Sequence, residues 1–255
     1  MYKSYTAAEW RSHLGLDPDY SVDGFIVFGS YQKSLYDMLR ESLKQIGKDV
    51  EYRSFEDEFL APIQEFVVDG KRYWFVIAYG GALLSEFLHL ACTFGSKMNI
   101  LLGTCGGLIK NANTLDFVVP EWSYAEESSA KGYEPNSGHR YKPDRRLSDR
   151  LAERIGLDHV VHRGPTITFQ AMLAETWDDV VQWAEQGYVG VEMEAATVFA
   201  VSKHFGVPAA AVLRVGDKLI GQETAFSEGY RQLKNARHKV SQEAFDIVLE
   251  EMLNS

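Results

Sequence analysis

The stretch VGVEMEAATVFAVSKHFGVPAAAVLRV (Val189–Val215) decides how the fold is read. It opens on a short strand-like run, Val189–Glu192, and passes into a helical pattern from Glu194 to Phe205. Gly206 and Pro208 follow as stop signals, one able to take the left-handed turn that ends a helix and the other unable to continue it. Ala209–Val215 is then a continuous apolar run, which suits a strand buried on both faces. Strand, helix and strand in succession point to a mostly parallel or mixed sheet covered by helices.

The same rhythm extends outward. Gly24–Gly29 (GFIVFG) predicts a buried strand, and Lys33–Ile46 a helix behind it. The segment EFVVDGKRYWFVIAYG predicts a hairpin, because Asp69-Gly70 is a residue pair that a two-residue type I′ turn prefers. A helix over Leu83–Phe94 and a strand over Asn99–Leu102 follow, the latter closed by GTCGG, small residues whose backbone can approach a ligand. Beyond a strand at Asp116–Pro120, the polar segment Glu121–Pro143 is the longest loop-like stretch and a candidate binding loop. A helix at Arg145–Ile155, a strand at His159–Phe169, a helix at Thr176–Gln186 and a terminal helix after about Thr224 complete an α/β pattern. No repeat, low-complexity tract or linker divides it.

The chain has 255 residues, 45% of them hydrophobic and 13% aromatic, which is enough to build a core. With 36 acidic against 26 basic residues its net charge is -10, a field that repels polyphosphate backbones, so no nucleic-acid partner is expected. Two cysteines, Cys92 and Cys105, are too few for a disulfide framework and suggest a reducing, cytoplasmic setting. The opening MYKSYTAAEW lacks an apolar leader, and no apolar run approaches the roughly 20 residues of a membrane span, so no membrane partner is expected either. Fingerprints of the GxGxxG, GxxxxGK[ST] and GxSxG types are absent. His159 and His162 stand three apart in a strand-like run and so point to opposite faces, and no metal site is expected.

Two motifs carry a resemblance. GVEMEAATVFAVSKHFGVPAA (Gly190–Ala210) resembles the ribose-binding signature of the nucleoside phosphorylases of the uridine phosphorylase and hexameric purine nucleoside phosphorylase type. GTCGGL (Gly103–Leu108) is similar to their phosphate-side loop. The matching motifs run in family order from His13 to Asp217. The resemblance implies one domain over residues 1–255, with a central mixed sheet curled into a distorted barrel and flanked by helices.

Phosphorolysis of an N-glycosidic bond needs an oxyanion nucleophile, a carboxylate that grips the sugar hydroxyls, and a donor for the departing base. The resemblance assigns Glu194 to the ribose hydroxyls, with Met193 packing on the sugar and Glu192 in the same loop. Asp217, in RVGDK, matches the aspartate that serves the purine N7 in purine-cleaving relatives, a role that requires a raised pKa. Phe169 matches an aromatic that packs on the base, and His13 a histidine that contacts the ribose 5′ hydroxyl across a dimer interface. For phosphate, the resemblance points to Gly29, Lys33 in place of an arginine, Arg53 reaching into the adjacent subunit's site, and Thr104. One position departs from the pattern: Leu101 stands where phosphate-using relatives carry an arginine.

The expectation is therefore a purine-type nucleoside phosphorylase, cytoplasmic, acting on a nucleoside with inorganic phosphate as co-substrate and with no other cofactor. His13 and Arg53 imply a homo-oligomer, a dimer or a trimer of dimers. Alternatives are a hydrolytic nucleosidase on the same fold, which Leu101 favours, a uridine phosphorylase, which the residues AMLAET after Phe169 disfavour, and a nucleoside-binding protein without turnover.

Overall fold

In the computed structural model, which describes residues 2–47, 50–55 and 62–254, strands and helices alternate along most of the chain. Helix α1 (Ala7–His13), held by a capping box between Thr6 and Glu9, precedes strand β1 (Gly24–Gly29) and helix α2 (Leu35–Gln45). Strands β2 (Val50–Phe55), β3 (Ile63–Val68) and β4 (Lys71–Ala78) form an antiparallel excursion. Asp69 and Gly70 both take positive φ between β3 and β4, as the type I′ turn requires. Next come α3 (Gly81–Thr93), β5 (Asn99–Gly107), β6 (Phe117–Tyr124), α4 (Ala130–Tyr133) and β7 (Arg140–Tyr141). The remainder is α5 (Arg145–Ile155), β8 (Val161–Thr168), α6 (Trp177–Glu185), β9 (Gly190–Glu192), α7 (Ala195–Phe205), β10 (Ala209–Lys218), α8 (Glu228–Gln232) and α9 (Lys234–Leu253).

Among the described residues the strands form one mixed sheet in the order β10-β6-β8-β9-β5-β1-β4-β3-β2, and a further β10–β5 pairing closes β10, β6, β8, β9 and β5 into a barrel. At its centre β1, β5 and β10 run parallel, with Val27 beside Leu101 and Leu101 beside Ala211. Alternate side chains enter two cores. Val27, Leu101 and Leu213 face α3 and α7, whereas Ile26, Ile100 and Val212 face α2, α5 and α9. Both faces are thus covered by helices, which the unbroken apolar runs of these strands demand.

Three sequence expectations need correction. GTCGG is not a loop after a strand ending at Leu102, because β5 continues to Gly107. Its glycines let β10 pair along its whole length while β9 pairs at Gly106 and Gly107. The strand expected over Asp116–Pro120 runs on to Tyr124, and the rest of the Glu121–Pro143 segment contains α4 and β7. Strand β2 was not anticipated, since its mixed VEYRSF composition lies on a sheet edge where burial does not impose a pattern. None of the described helices is long and apolar enough to cross a membrane.

Candidate active site

The carboxyl ends of β1, β5 and β10 meet on one side of the sheet, the usual place for a site between parallel strands. Phe28 pairs with Leu102, which brings Gly29 beside Gly103, and a Cβ at Gly103 would lie 3.9 Å from the Gly29 Cα. Arg214 pairs with Thr104. A bulge between Val215 and Asp217 then shifts the register so that Asp217 faces Gly106. A Cβ at Gly216 would stand 3.9 Å from the Thr104 Cβ. Gly29, Thr104 and Asp217 therefore lie along one strip crossing three strands.

Glu194 closes one end of that strip. It stands just before the first residue of α7, and its side chain is only 3% exposed. The Gly80 N–H donates to its Oε1 at 2.7 Å, and a Cβ on Gly29 would come 2.7 Å from its Oε2. Gly80 takes φ +81°, a conformation that glycine adopts without strain and that turns its N–H onto the carboxylate. Burial, with the nearby Glu192 charge adding to it, pushes the Glu194 pKa up to about 8, against the pull of the Gly80 and Met193 N–H groups.

Glu192, also buried, spends its acceptors within the chain. Its Oε1 accepts from Ser123 at 2.9 Å, Thr168 at 2.5 Å and Thr166 at 3.3 Å, while its Oε2 accepts the Glu194 and Ala195 N–H groups at 2.7 and 2.6 Å. This network fixes the 192–195 turn, so that Glu194 is aimed by a neighbour two residues away. Gln170 supports the same turn from another side, donating to the Met193 carbonyl at 2.7 Å and accepting from the Gly81 N–H at 3.0 Å. Neither the hydroxyls around Glu192 nor Gln170 stood out in the sequence, because they come together only through strand pairing.

Asp217 lies at the other end, in the wall of a cavity of about 590 Å³ shared with Met172, Glu175, Trp177, Leu219 and Phe226. That volume suits a small-molecule ligand, and the lining is largely apolar with a few polar groups. Burial raises the Asp217 pKa, against the Ala225 N–H and the charges of Arg214 and Arg237. Glu175 faces it: burial first, then the charges of Asp217 and Asp179, push Glu175 up to about 7. Met172 and Leu173 also border a smaller cavity of about 460 Å³ with Tyr79, Gln170 and Met193, so the Asp217 wall and the Met193 wall adjoin.

Phe169 is placed elsewhere. It packs on Trp183 of α6, with ring centroids 5.4 Å apart, and lines a separate cavity with Tyr124 and Tyr188. Strand alternation explains this, since Thr168 points to Glu192 and its neighbour must point to the opposite face. Met172, not Phe169, borders both cavities on the Asp217 and Met193 side.

The remaining expected residues do not converge within one chain. Lys33 is exposed in the turn before α2, and His13 is exposed at the end of α1, stacked on Tyr5 at 5.3 Å. Arg53 is on the edge strand β2, paired with Glu65 at 2.6 Å. Leu101 is wholly buried among apolar residues in the α3 and α7 core. His159 and His162 have separate partners, His162 bonding Asp116 at 2.9 Å and His159 lying 3.3 Å from Glu243.

A closed mixed-sheet barrel with a buried glutamate and a half-buried aspartate at the ends of parallel strands defines the class: an α/β fold of the phosphorylase and nucleosidase kind. The phosphorylase superfamily model matches residues 81–254, and the chain belongs to that family of nucleoside phosphorylases and nucleosidases. It is 34% identical over 130 residues to a guanosine phosphorylase of Halorubrum lacusprofundi, covering 49% of this chain and 52% of that one. It is 28% identical over 147 residues to a DeoD-type purine nucleoside phosphorylase of Clostridium beijerinckii, covering 55% and 60%. The matched stretch thus spans little more than half the length of these relatives. Among solved structures, uridine phosphorylase from Vibrio fischeri ES114 superposes with a TM-score of 0.72 at 16% identity over 92% of each chain. Helicobacter pylori MTAN superposes with 0.67 at 16% identity, over 89% of this chain and 99% of that one. At such identity these two likenesses show the fold alone.

Proposed function

We propose that the protein cleaves a purine-type nucleoside by phosphorolysis, giving the free base and ribose 1-phosphate. The observation that carries this reading is the strip from Glu194 through Gly29 and Thr104 to Asp217, with a ligand-sized cavity beside Asp217. Glu194 takes the ribose hydroxyls, and Met193 packs on the sugar. Glu192 acts through Glu194, holding the turn. A phosphate oxygen attacks C1′ as the bond from C1′ to the base breaks; the bonding electrons pass to the base, and the Asp217 proton goes to N7. A raised pKa at Asp217 suits a proton donor near neutral pH. Thr104, the Gly29 backbone and Lys33 surround the phosphate, with Arg53 and His13 supplied by a neighbouring subunit. Purine relatives at 34% and 28% identity favour this substrate class.

A second reading, hydrolysis by water, is favoured by the apolar burial of Leu101. Incubation with inosine, adenosine, guanosine and uridine, with and without phosphate, separates the two. Release of free purine that depends on phosphate is expected. Equal release without it would overturn phosphorolysis, and release from uridine alone would overturn the role given to Asp217.

A further inference from the structure

Arg214 is a cation enclosed within the fold. It is 6% exposed, and among the described residues no carboxylate forms an ion pair with it. Its Nε donates to the Ser241 hydroxyl at 3.0 Å and its Nη1 to the Val215 carbonyl at 3.2 Å, both neutral acceptors. Burial disfavours its charged form, yet a guanidinium keeps its proton in proteins. The Asp217 charge acts on it only from beyond ion-pair distance, and the Tyr230 hydroxyl adds a further polar neighbour, so the buried guanidinium lacks a close counter-charge, an arrangement that an anion would complete.

The surroundings say where that anion would sit. Ala210 and Val212 face the α2, α5 and α9 core, and strand alternation puts Arg214 on the same face; Ile100, Leu102 and Thr104 follow the same rule on β5. Arg214 and Thr104 are direct cross-strand neighbours, and their side chains leave the sheet on the same face near the strand ends. The Tyr230 ring lies against this spot, 3.9 Å from where a Gly216 Cβ would be, and Arg237 stacks on that ring at 3.6 Å. Two positive groups and Thr104 thus gather around Arg214, two residues before Gly216 and three before Asp217, in a chain of net charge -10.

We propose that Arg214 holds the oxyanion co-substrate, inorganic phosphate, and supplies from β10 the buried positive charge that Leu101 does not supply from β5. This rests on the reading of the strip as a nucleoside-cleaving site. It also changes the part played by Lys33 and Arg53, both exposed, which then contribute at the rim of the anion site.

The test is calorimetric titration of the full-length protein with inorganic phosphate, and with inosine and guanosine, for the parent and for Arg214→Met and Arg214→Lys. The Met variant should weaken phosphate binding by about 100-fold, the scale of a lost charge-assisted hydrogen-bond pair, and Lys should weaken it by about tenfold. Nucleoside affinity should change by less than about threefold, and the melting temperature of Arg214→Met without phosphate should not fall, since a buried charge is replaced by an apolar side chain. Phosphate affinity unchanged in both variants would overturn the proposal, as would absence of phosphate binding by the parent or equal losses for phosphate and nucleoside. If Arg214→Met does not fold, Arg214→Lys decides by the same ratio. Base release that ignores phosphate would sink phosphorolysis separately, because the titration reports the anion site whether or not phosphate reacts.

Discussion

The Glu194 carboxylate rests against the Gly29 backbone so closely that a Cβ at residue 29 would lie 2.7 Å from Oε2 and 3.0 Å from Cδ. One strand end therefore sets the position of a carboxylate that belongs to a different element. The contact ties the absence of a side chain at 29 to the placement of the Glu194 carboxylate. Gly29→Ala should displace the carboxylate, costing about 1–3 kcal/mol of stability through overpacking. It should also lower kcat/KM by about 10- to 100-fold if Glu194 holds the sugar as proposed, because a shift on the ångström scale at such a group is enough for that. Urea unfolding and steady-state kinetics check the two parts, and unchanged kinetics would show that Glu194 does not need this position.

Much of this arrangement was legible in the sequence because it follows from local rules. Periodicity located β1, α5 and α7 to within a residue or two, and Asp69-Gly70 marked its turn. Glu194 and Asp217 stood out as candidates because each sits at a strand or helix boundary within a recognisable motif. Hidden from a linear reading were the features made by pairing: the Ser123, Thr166 and Thr168 hydroxyls on Glu192, Gln170 bridging two loops, and Arg214 beside Thr104. The surroundings of Phe169 were hidden for a related reason. Only the strand's phase shows that its ring goes to Trp183 while Met172, in the following turn, borders the site cavity.

Glu194 should make stability depend on pH in a defined direction. Its ordinary pKa of 4.5 rises to about 8 in the fold, so the native state holds a proton that the unfolded chain has released between those values. The stability this contributes is present below about pH 4.5 and is lost as pH rises toward 8, with a slope of at most about 1.4 kcal/mol per pH unit. Glu194→Gln keeps an acceptor for the Gly80 N–H and does not titrate. Its stability relative to the parent should therefore improve steadily across that window, as measured by urea midpoints. A constant difference would mean that Glu194 ionises normally.

Asp217 and Glu175 share a cavity wall, and each charge raises the cost of the other. Asp217→Asn removes one charge, so the Glu175 pKa should drop from about 7 toward the ordinary glutamate range, observable by carboxyl-carbon NMR titration. The same variant should slow purine release by about 100-fold or more while nucleoside affinity changes little, the signature of a lost general acid. A parallel loss of affinity and rate would instead make Asp217 a binding group.

Thr168 links two parts of the site support, donating to Glu192 Oε1 at 2.5 Å while accepting the Ala196 N–H at 3.0 Å. Thr168→Val keeps the shape and removes both bonds, leaving a buried carboxylate and a buried N–H each short of a partner. The expected cost is about 1–3 kcal/mol, read from the urea midpoint. A loss well under that range would show that Ser123 and Thr166 suffice to hold Glu192.

Arg53 offers a test of assembly. It lies on the edge strand β2, separated from β1 by β3 and β4, and is anchored to Glu65, which also bonds the Tyr20 hydroxyl and lies 3.3 Å from Arg72. These contacts hold Arg53 away from the Glu194 to Asp217 strip of its own chain, while its side chain stays 56% exposed. If it serves a neighbour's site, Arg53→Ala and Asp217→Asn are defects in different subunits' contributions to one site. Mixed after dissociation and reassociation, two weakly active variants should then form hybrid oligomers that contain some sites with both residues intact. Random pairing of equal amounts would restore about a quarter of parental activity, because a given site draws its Asp217 and its neighbour's Arg53 independently. Activity equal to the mean of the separate variants would place Arg53 outside the neighbouring site, and sedimentation of the mixture confirms that hybrids formed.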